Sequence, residues 1–333
     1  MIQTQHAGKL YGEGMKGYVE DCNCIKDDKK TFCQYLKKHR AQIKEISLYS
    51  STSRSFKLDI DEEIDKIIGI LNDKQGLVVK TFKGSHPKDG FIAEIKGFLK
   101  ILSILKNKDY HTVHEGFVLK NEPIYGLCIS YTNKTNSYHT FTEGCSTPID
   151  KMKFKSQEQF DIFVKHIYDA LTAIHEQGYY HNDIKPDNMI YCAKDERFKL
   201  IDWELSSKMP AEPRPFYSGG TTLYNHPLKF YLGGLPAIIC KQLIQYSVVI
   251  LGKHKWVRKL KVFKTLKFLN SMSLDWILEK ENTKSKVAIH RKYYPHFDNY
   301  AFAQSVLYLA EKHGMIAPSD LIADLMGPFL PKP

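Results

Sequence analysis

The chain has 333 residues, 43% of them hydrophobic and 26% charged, which is enough for a sizeable core in one large two-lobed domain or two modest ones. No apolar run approaches the roughly 18 to 20 residues that cross a bilayer, and the opening MIQTQHAGKLYGEG has no secretory pattern, which argues against a helical membrane protein and a secreted one. The formal net charge of +11 is concentrated, because residues 228–297 hold fourteen Lys and Arg against only Asp275, Glu279 and Glu281.

In chain order, Gly8 to Val19 is glycine-rich. Asp21 to Asn72 is polar and lysine-rich, with a short helix expected around Asp61 to Leu71. Gly76 to Phe82 (GLVVKTF) reads as a buried strand entered through a turn. Phe91, Ile95, Phe98 and Leu102 recur at helical spacing and predict an amphipathic helix. Phe117-Val118-Leu119 and Tyr125 to Tyr131 predict two further strands. Between Ser156 and Gln177, the positions Phe160, Phe163, Ile167, Ala170 and Ile174 share one helical face, with Ser156 placed as N-cap and Gly178 at the end. Seven scattered cysteines without C-x-x-C spacing argue against a disulfide framework and a zinc site, and predict a reducing, cytoplasmic setting. The alternation of strand and helix patterns, with no internal repeat, is that of an α+β enzyme.

Immediately after the helix, Tyr179 to Ile190 reads YYHNDIKPDNMI, and Leu200 to Glu204 reads LIDWE. Phosphoryl transfer requires an oriented acceptor hydroxyl, cations that neutralise phosphate charge, and ligands for those cations. Asp183 can accept the hydroxyl proton, Lys185 can offset charge on the moving group, and Asn188 and Asp202 offer the hard oxygens that Mg²⁺, or Mn²⁺, prefers. A single H-x-D is often just a polar turn. Five matched identities at matched spacing, between a helix and an apolar strand, are not.

This arrangement resembles the protein-kinase catalytic loop H-R-D-x-K-x-x-N and its D-F-G successor. The resemblance implies an α+β, two-lobed protein-kinase-like fold, ATP with Mg²⁺ as cofactors, and a protein substrate. Gly12, Gly14, Gly17 and Val19 fit the G-x-G-x-x-G-x-V turn that lies over the phosphates, with the valine against adenine. Lys80 and Glu94 match the pair that grips the α- and β-phosphates and fixes the neighbouring helix. Gly220 to Leu228 (GTTLYNHPL) is similar to the G-T-x-x-Y-x-x-P-E run that closes an activation segment, which would bring Thr221 near Asp183 and Lys185. A threonine there, with lysine two residues after the aspartate, favours Ser/Thr acceptors. On this resemblance, residues 1–132 form the N-lobe, with an insertion at about 21–73, and residues 133–333 the C-lobe, with a basic helical insert at about 228–297.

Four departures stand out. Asn182 replaces the arginine that pairs with an activation-loop phosphate, so activity is expected not to depend on such phosphorylation. Trp203-Glu204 replaces the Phe-Gly of D-F-G. Leu228 replaces a glutamate whose arginine partner is also missing, since no arginine follows Arg291; losing both avoids an unpaired buried charge. About sixty residues separate Gly17 from Lys80, and about seventy separate Pro227 from Asp298, where Asp298 to Ala303 resembles the start of the central large-lobe helix. Such a reshaped periphery is similar to that of divergent kinases of large DNA viruses. The basic insert reads as helices whose lysines face water, or as a dock for an acidic protein, nucleic acid or anionic membrane surface. Two other functions fit parts of the pattern. Ile201-Asp202-Trp203-Glu204 matches the I-D-W-E of aminoglycoside and choline kinases, and Asn182 with Glu204 fits a pseudokinase scaffold.

Overall fold

A computed structural model describes residues 147–192, 196–212, 224–240 and 272–330, with the backbone of seven earlier strands and the helical residues Ala93, Gly97, Lys100, Ile101 and Ile104. The chain divides into two compact units, residues 1–148 with 190–204, and residues 149–189 with 205–333.

The first unit carries an antiparallel sheet of β1 (Leu10–Glu13), β2 (Gly17–Asp21), β3 (Glu45–Tyr49), β4 (Phe56–Lys57), β5 (Leu77–Phe82), β6 (Gly116–Lys120) and β7 (Tyr138–Glu143). Their order is β1-β2-β5-β7-β6-β3-β4. The predicted strands at Gly76–Phe82 and Phe117–Leu119 correspond to β5 and β6. β3 and β4 extend the sheet edge from a stretch whose polar, lysine-rich composition hid any strand pattern. The short helix at Asp61–Leu71 and the strand at Tyr125–Tyr131 fall outside the described residues. So do Phe91, Ile95, Phe98 and Leu102, although Ile101 beside them is helical and fully buried.

Short pairs follow: β8 (Thr147–Pro148), β9 (Tyr179–Tyr180), β10 (Met189–Cys192), β11 (Arg197–Leu200) and β12 (Ser207–Lys208), ordered β11-β10-β8 and β12-β9. Cys192, fully buried at the end of β10, is disulfide-bonded. The scattered cysteine spacing gave no sign of this bond, because spacing along the chain does not say which cysteines the fold brings together.

In the second unit, α1 (Gln157–His175) begins where the sequence placed it, with the Ser156 hydroxyl accepting from the Gln159 N–H at 3.2 Å. Phe160, Phe163, Ile167, Ala170 and Ile174 are buried as predicted, and Gly178 ends the turn after the helix at φ +67, a conformation that glycine adopts without strain. α2 (Pro227–Leu232), α3 (Lys286–Tyr293), α4 (Phe297–His313) and α5 (Ser319–Met326) follow, with helical residues 272–280 before α3. α4 is buried on nearly every side, Tyr300, Phe302, Ala303, Val306 and Leu309 included, so it is the core about which the unit packs.

Leu228 is fully buried, and the segment around it is held by an aromatic anchor. The Phe329 ring stacks on His226 at 4.4 Å and on Phe297 at 5.6 Å, and meets Tyr300 at 4.8 Å. Ser273 donates to the Phe329 carbonyl at 2.8 Å, so its oxygen accepts from His226 Nε2 at 2.5 Å. Nδ1 of the same ring accepts the Leu228 N–H at 3.1 Å, capping α2. One ring nitrogen donating and the other accepting defines a neutral imidazole, and burial pushes the His226 pKa down to about 3.

Two outcomes follow. Phe329→Ala should lower stability by about 3–5 kcal/mol in urea unfolding, since it empties a site lined by His226, Tyr293, Phe297 and Tyr300. Because folded His226 binds a proton less readily than the unfolded chain, its contribution is complete above about pH 6.5 and declines as pH falls toward 3, at up to about 1.4 kcal/mol per pH unit. His290, His296 and His313, also pushed down by burial, act in the same direction. His226→Asn, which keeps a capping acceptor but does not titrate, should flatten the stability difference between pH 7.5 and 5.5. An unchanged slope would contradict the neutral-ring assignment.

Candidate active site

The segment from Tyr180 to Met189 leaves α1 through the β9 pair and ends in a single 3-10 turn, Pro186–Asn188, that leads into β10. His181, Ile184 and Met189 are fully buried, so the loop is pinned at three points while Asp183 and Asn188 keep slight exposure. Lys185 Nζ lies 2.7 Å from Asp183 Oδ2. Asn188 Nδ2 donates to the same oxygen at 3.0 Å and to the Asp183 carbonyl at 2.8 Å. With both amide protons spent on Asp183, the Asn188 Oδ1 is left as a hard oxygen donor of the kind Mg²⁺ takes.

The loop's backbone rests on a carboxylate from α4. Asp298 Oδ2 accepts the His181 N–H at 2.6 Å and lies 3.2 Å from His175 Nε2, while Oδ1 accepts the Asn182 N–H at 2.8 Å. Burial alone would push this carboxyl up. The hydrogen bond and charge of His175, with the charge of Lys229, hold it below its ordinary value. Asn182 has φ +68, left-handed backbone that asparagine tolerates better than most residues. Its Nδ2 donates to the Leu205 carbonyl at 3.0 Å, tying the loop to the chain that enters β12.

In the first unit, strand register aligns three of the predicted nucleotide-binding positions. Gly12 on β1 pairs with Val19 on β2, and Val19 pairs with Lys80 on β5. Gly17 opens β2 opposite Phe82. Asp202 follows β11 at φ +68, again left-handed, and Trp203–Leu205 forms a 3-10 turn with Trp203 buried. Glu204 sits inside that turn, so its position makes no demand for glycine's conformational freedom. Gly14, Glu94 and Thr221 lie outside the described residues.

Sequence reasoning located Asp298 as a helix start but did not assign it the loop, and it passed over Lys229 and Tyr294, both of which bond to Asn182. The available signal was Lys229 itself, a lysine among the buried Pro227, Leu228, Phe230 and Leu232 of a six-residue helix. In the basic segment, Lys284 and Lys292 pair with Glu281, Lys280 lies 4.3 Å from the Trp276 ring centre and Lys286 lies 4.5 Å from that of Tyr231. These four cations are engaged within the protein, and the stretch from Lys253 to Leu269 lies outside the described residues.

Residues 6–227, two thirds of the chain, match the sequence family described as "Protein kinase domain". The chain therefore belongs to the protein kinase family, and membership carries that family's two-lobed α+β architecture. Shorter stretches are similar to individual kinases. Serine/threonine-protein kinase Kist of Homo sapiens is 48% identical over 42 residues, 13% of this chain and 10% of that protein. Maternal embryonic leucine zipper kinase of Danio rerio is 42% identical over 53 residues, 16% and 8% respectively. Probable serine/threonine-protein kinase cdc7 of Dictyostelium discoideum is 36% identical over 55 residues, 16% and 5%. The matched stretches thus span a tenth or less of these relatives. Among the described residues, no helix is long and apolar enough to cross a membrane.

Asp298→Ala should leave the N–H groups of His181 and Asn182 buried without an acceptor. We expect a stability loss of at least about 3 kcal/mol, read by denaturant unfolding, as for other broken buried charge networks. A loss below about 1 kcal/mol would mean that the loop does not depend on this carboxylate.

Proposed function

We propose that the chain is an ATP-dependent serine/threonine protein kinase. The observation that carries the reading is the convergence of Lys185 and Asn188 on a single oxygen of Asp183, at 2.7 and 3.0 Å. That convergence leaves Oδ1 of Asp183 to face an acceptor hydroxyl and take its proton. Mg²⁺-ATP, when bound, supplies the γ-phosphoryl group and the cations that neutralise its charge. Asn188 Oδ1 and the Asp202 carboxylate are suited to hold the metal, and Lys80, in register with Val19 and Gly12, to hold the phosphates. Lys185 offsets charge on the group in transit, and Thr221 and Glu94 take the places that their motifs assign. The acceptor oxygen bonds to phosphorus as the bond to ADP breaks, and the hydroxyl proton passes to Asp183.

Family membership supports a protein acceptor, and the names of the partial relatives support Ser/Thr specificity. The Ile201–Glu204 sequence keeps one rival in play, a kinase of aminoglycosides or choline-like alcohols. Labelled ATP offered to a protein panel and to a panel of amino alcohols and aminoglycosides separates the two, and label found only in small molecules would overturn the protein-kinase reading. Asp183→Ala and Lys80→Ala should each reduce transfer to protein by two or more orders of magnitude. Equal, low signals from wild type and both variants would instead favour a non-catalytic scaffold.

A further inference from the structure

Every polar atom of Asn182 is engaged. Beyond its N–H on Asp298, its Nδ2 also reaches the Tyr180 carbonyl at 3.3 Å and Ser207 Oγ at 3.2 Å. Its Oδ1 accepts from the Tyr294 hydroxyl at 2.9 Å. Its carbonyl accepts from Lys229 Nζ at 2.7 Å. That carbonyl and the Asp183 N–H belong to one planar peptide unit. Lys229 grips the oxygen edge of the plane, and His181 Nδ1 accepts from the nitrogen edge at 3.3 Å. A peptide held on both edges cannot rotate, and its rotation is the motion that would swing the Asp183 side chain.

Neither Lys229 nor Tyr294 is placed casually. Lys229 is half-buried and turns its ammonium inward, where its second partner is the neutral Asn225 Oδ1 at 3.1 Å. Burial pushes its pKa down, while the charges of Asp298 and Asp183 oppose that shift. A cation withdrawn from water is costly unless its bonds are well made. Tyr294 stands four residues before Asp298, its ring packed against Tyr180 at 5.0 Å and His290 at 4.8 Å, which aims the hydroxyl.

We propose that Lys229 and Tyr294 are positioning residues for phosphoryl transfer: Lys229 holds the carbonyl of the Asn182–Asp183 peptide and Tyr294 holds the Asn182 side chain, so that the Asp183 carboxylate is fixed by unmodified side chains alone. The inference rests on the kinase reading above and names what orients its catalytic base. It requires no phosphate at Asn182, because the groups around that residue already satisfy it.

The test uses the full chain with Mg²⁺-ATP and casein as acceptor. Tyr294→Phe and Lys229→Met should each lower kcat about tenfold or more with KM for ATP within twofold, because the nucleotide contacts are untouched and the base is not. Amide hydrogen exchange should accelerate in the peptide covering residues 180–189 while α1 keeps its protection. Phosphatase treatment of the wild type should leave kcat unchanged. Unchanged kcat and exchange in Tyr294→Phe, or a phosphatase-induced collapse of wild-type activity, would overturn the proposal. So would exchange rising equally throughout the unit, which marks a purely structural role. Absence of transfer by the wild type to any acceptor, with exchange altered only in the loop, would remove the kinase reading and the catalytic claim together while leaving the anchoring itself demonstrated.

Discussion

The loop that carries Asp183 has almost no secondary structure of its own, and its shape depends on one buried carboxylate. Asp298 accepts two consecutive backbone N–H groups, from His181 and Asn182, and a third contact from His175. Consecutive amides that point to one acceptor force the chain between them into an unusual turn, and the φ of +68 at Asn182 is the local record of that demand. The carboxylate in turn sits on α4, the most completely buried helix of its unit. An irregular loop is thereby referenced to a buried helix, which is how a segment with little regular structure of its own can be fixed in space.

The positions that depart from the usual motif are mutually consistent. Asparagine at 182 relieves the backbone and supplies a short amide that bonds to Leu205, Ser207 and Tyr294. Leucine at 228 fills an apolar site, and the segment it belongs to is fastened by His226, Ser273 and Phe329. Each change replaces a charged contact with one that carries no net charge. Buried ion pairs lose much of their attraction to desolvation, so such exchanges need not lower stability, provided both partners go.

What the sequence revealed was mostly local. The N-cap at Ser156, the buried face of α1, the strands β5 and β6 and the spacing from His181 to Asn188 all follow from periodicity, capping and motif within a few dozen residues. What it concealed was long-range. Nothing near Lys229 or Tyr294 says that Asn182 is their partner, because the bonds cross separations of 47 and 112 residues. The disulfide of Cys192 and the addition of β3 and β4 to the sheet edge were hidden for a like reason: which cysteines meet and which strands pair are properties of the folded chain. Asn182 was visible as a missing arginine, whereas its own bonds became visible only with the loop closed around it.

The distance along the chain between the loop and its support also orders events in time. His181 lies 117 residues ahead of Asp298. At a synthesis rate of about 5–20 residues per second, roughly 6–23 s pass between the addition of the one and of the other. During that interval the nascent chain already contains the residues of the loop but not the acceptor for its two amides. A growing polypeptide therefore has its chemical groups long before it has their geometry, and a chain stalled or cleaved before residue 298 is left with an unshaped loop.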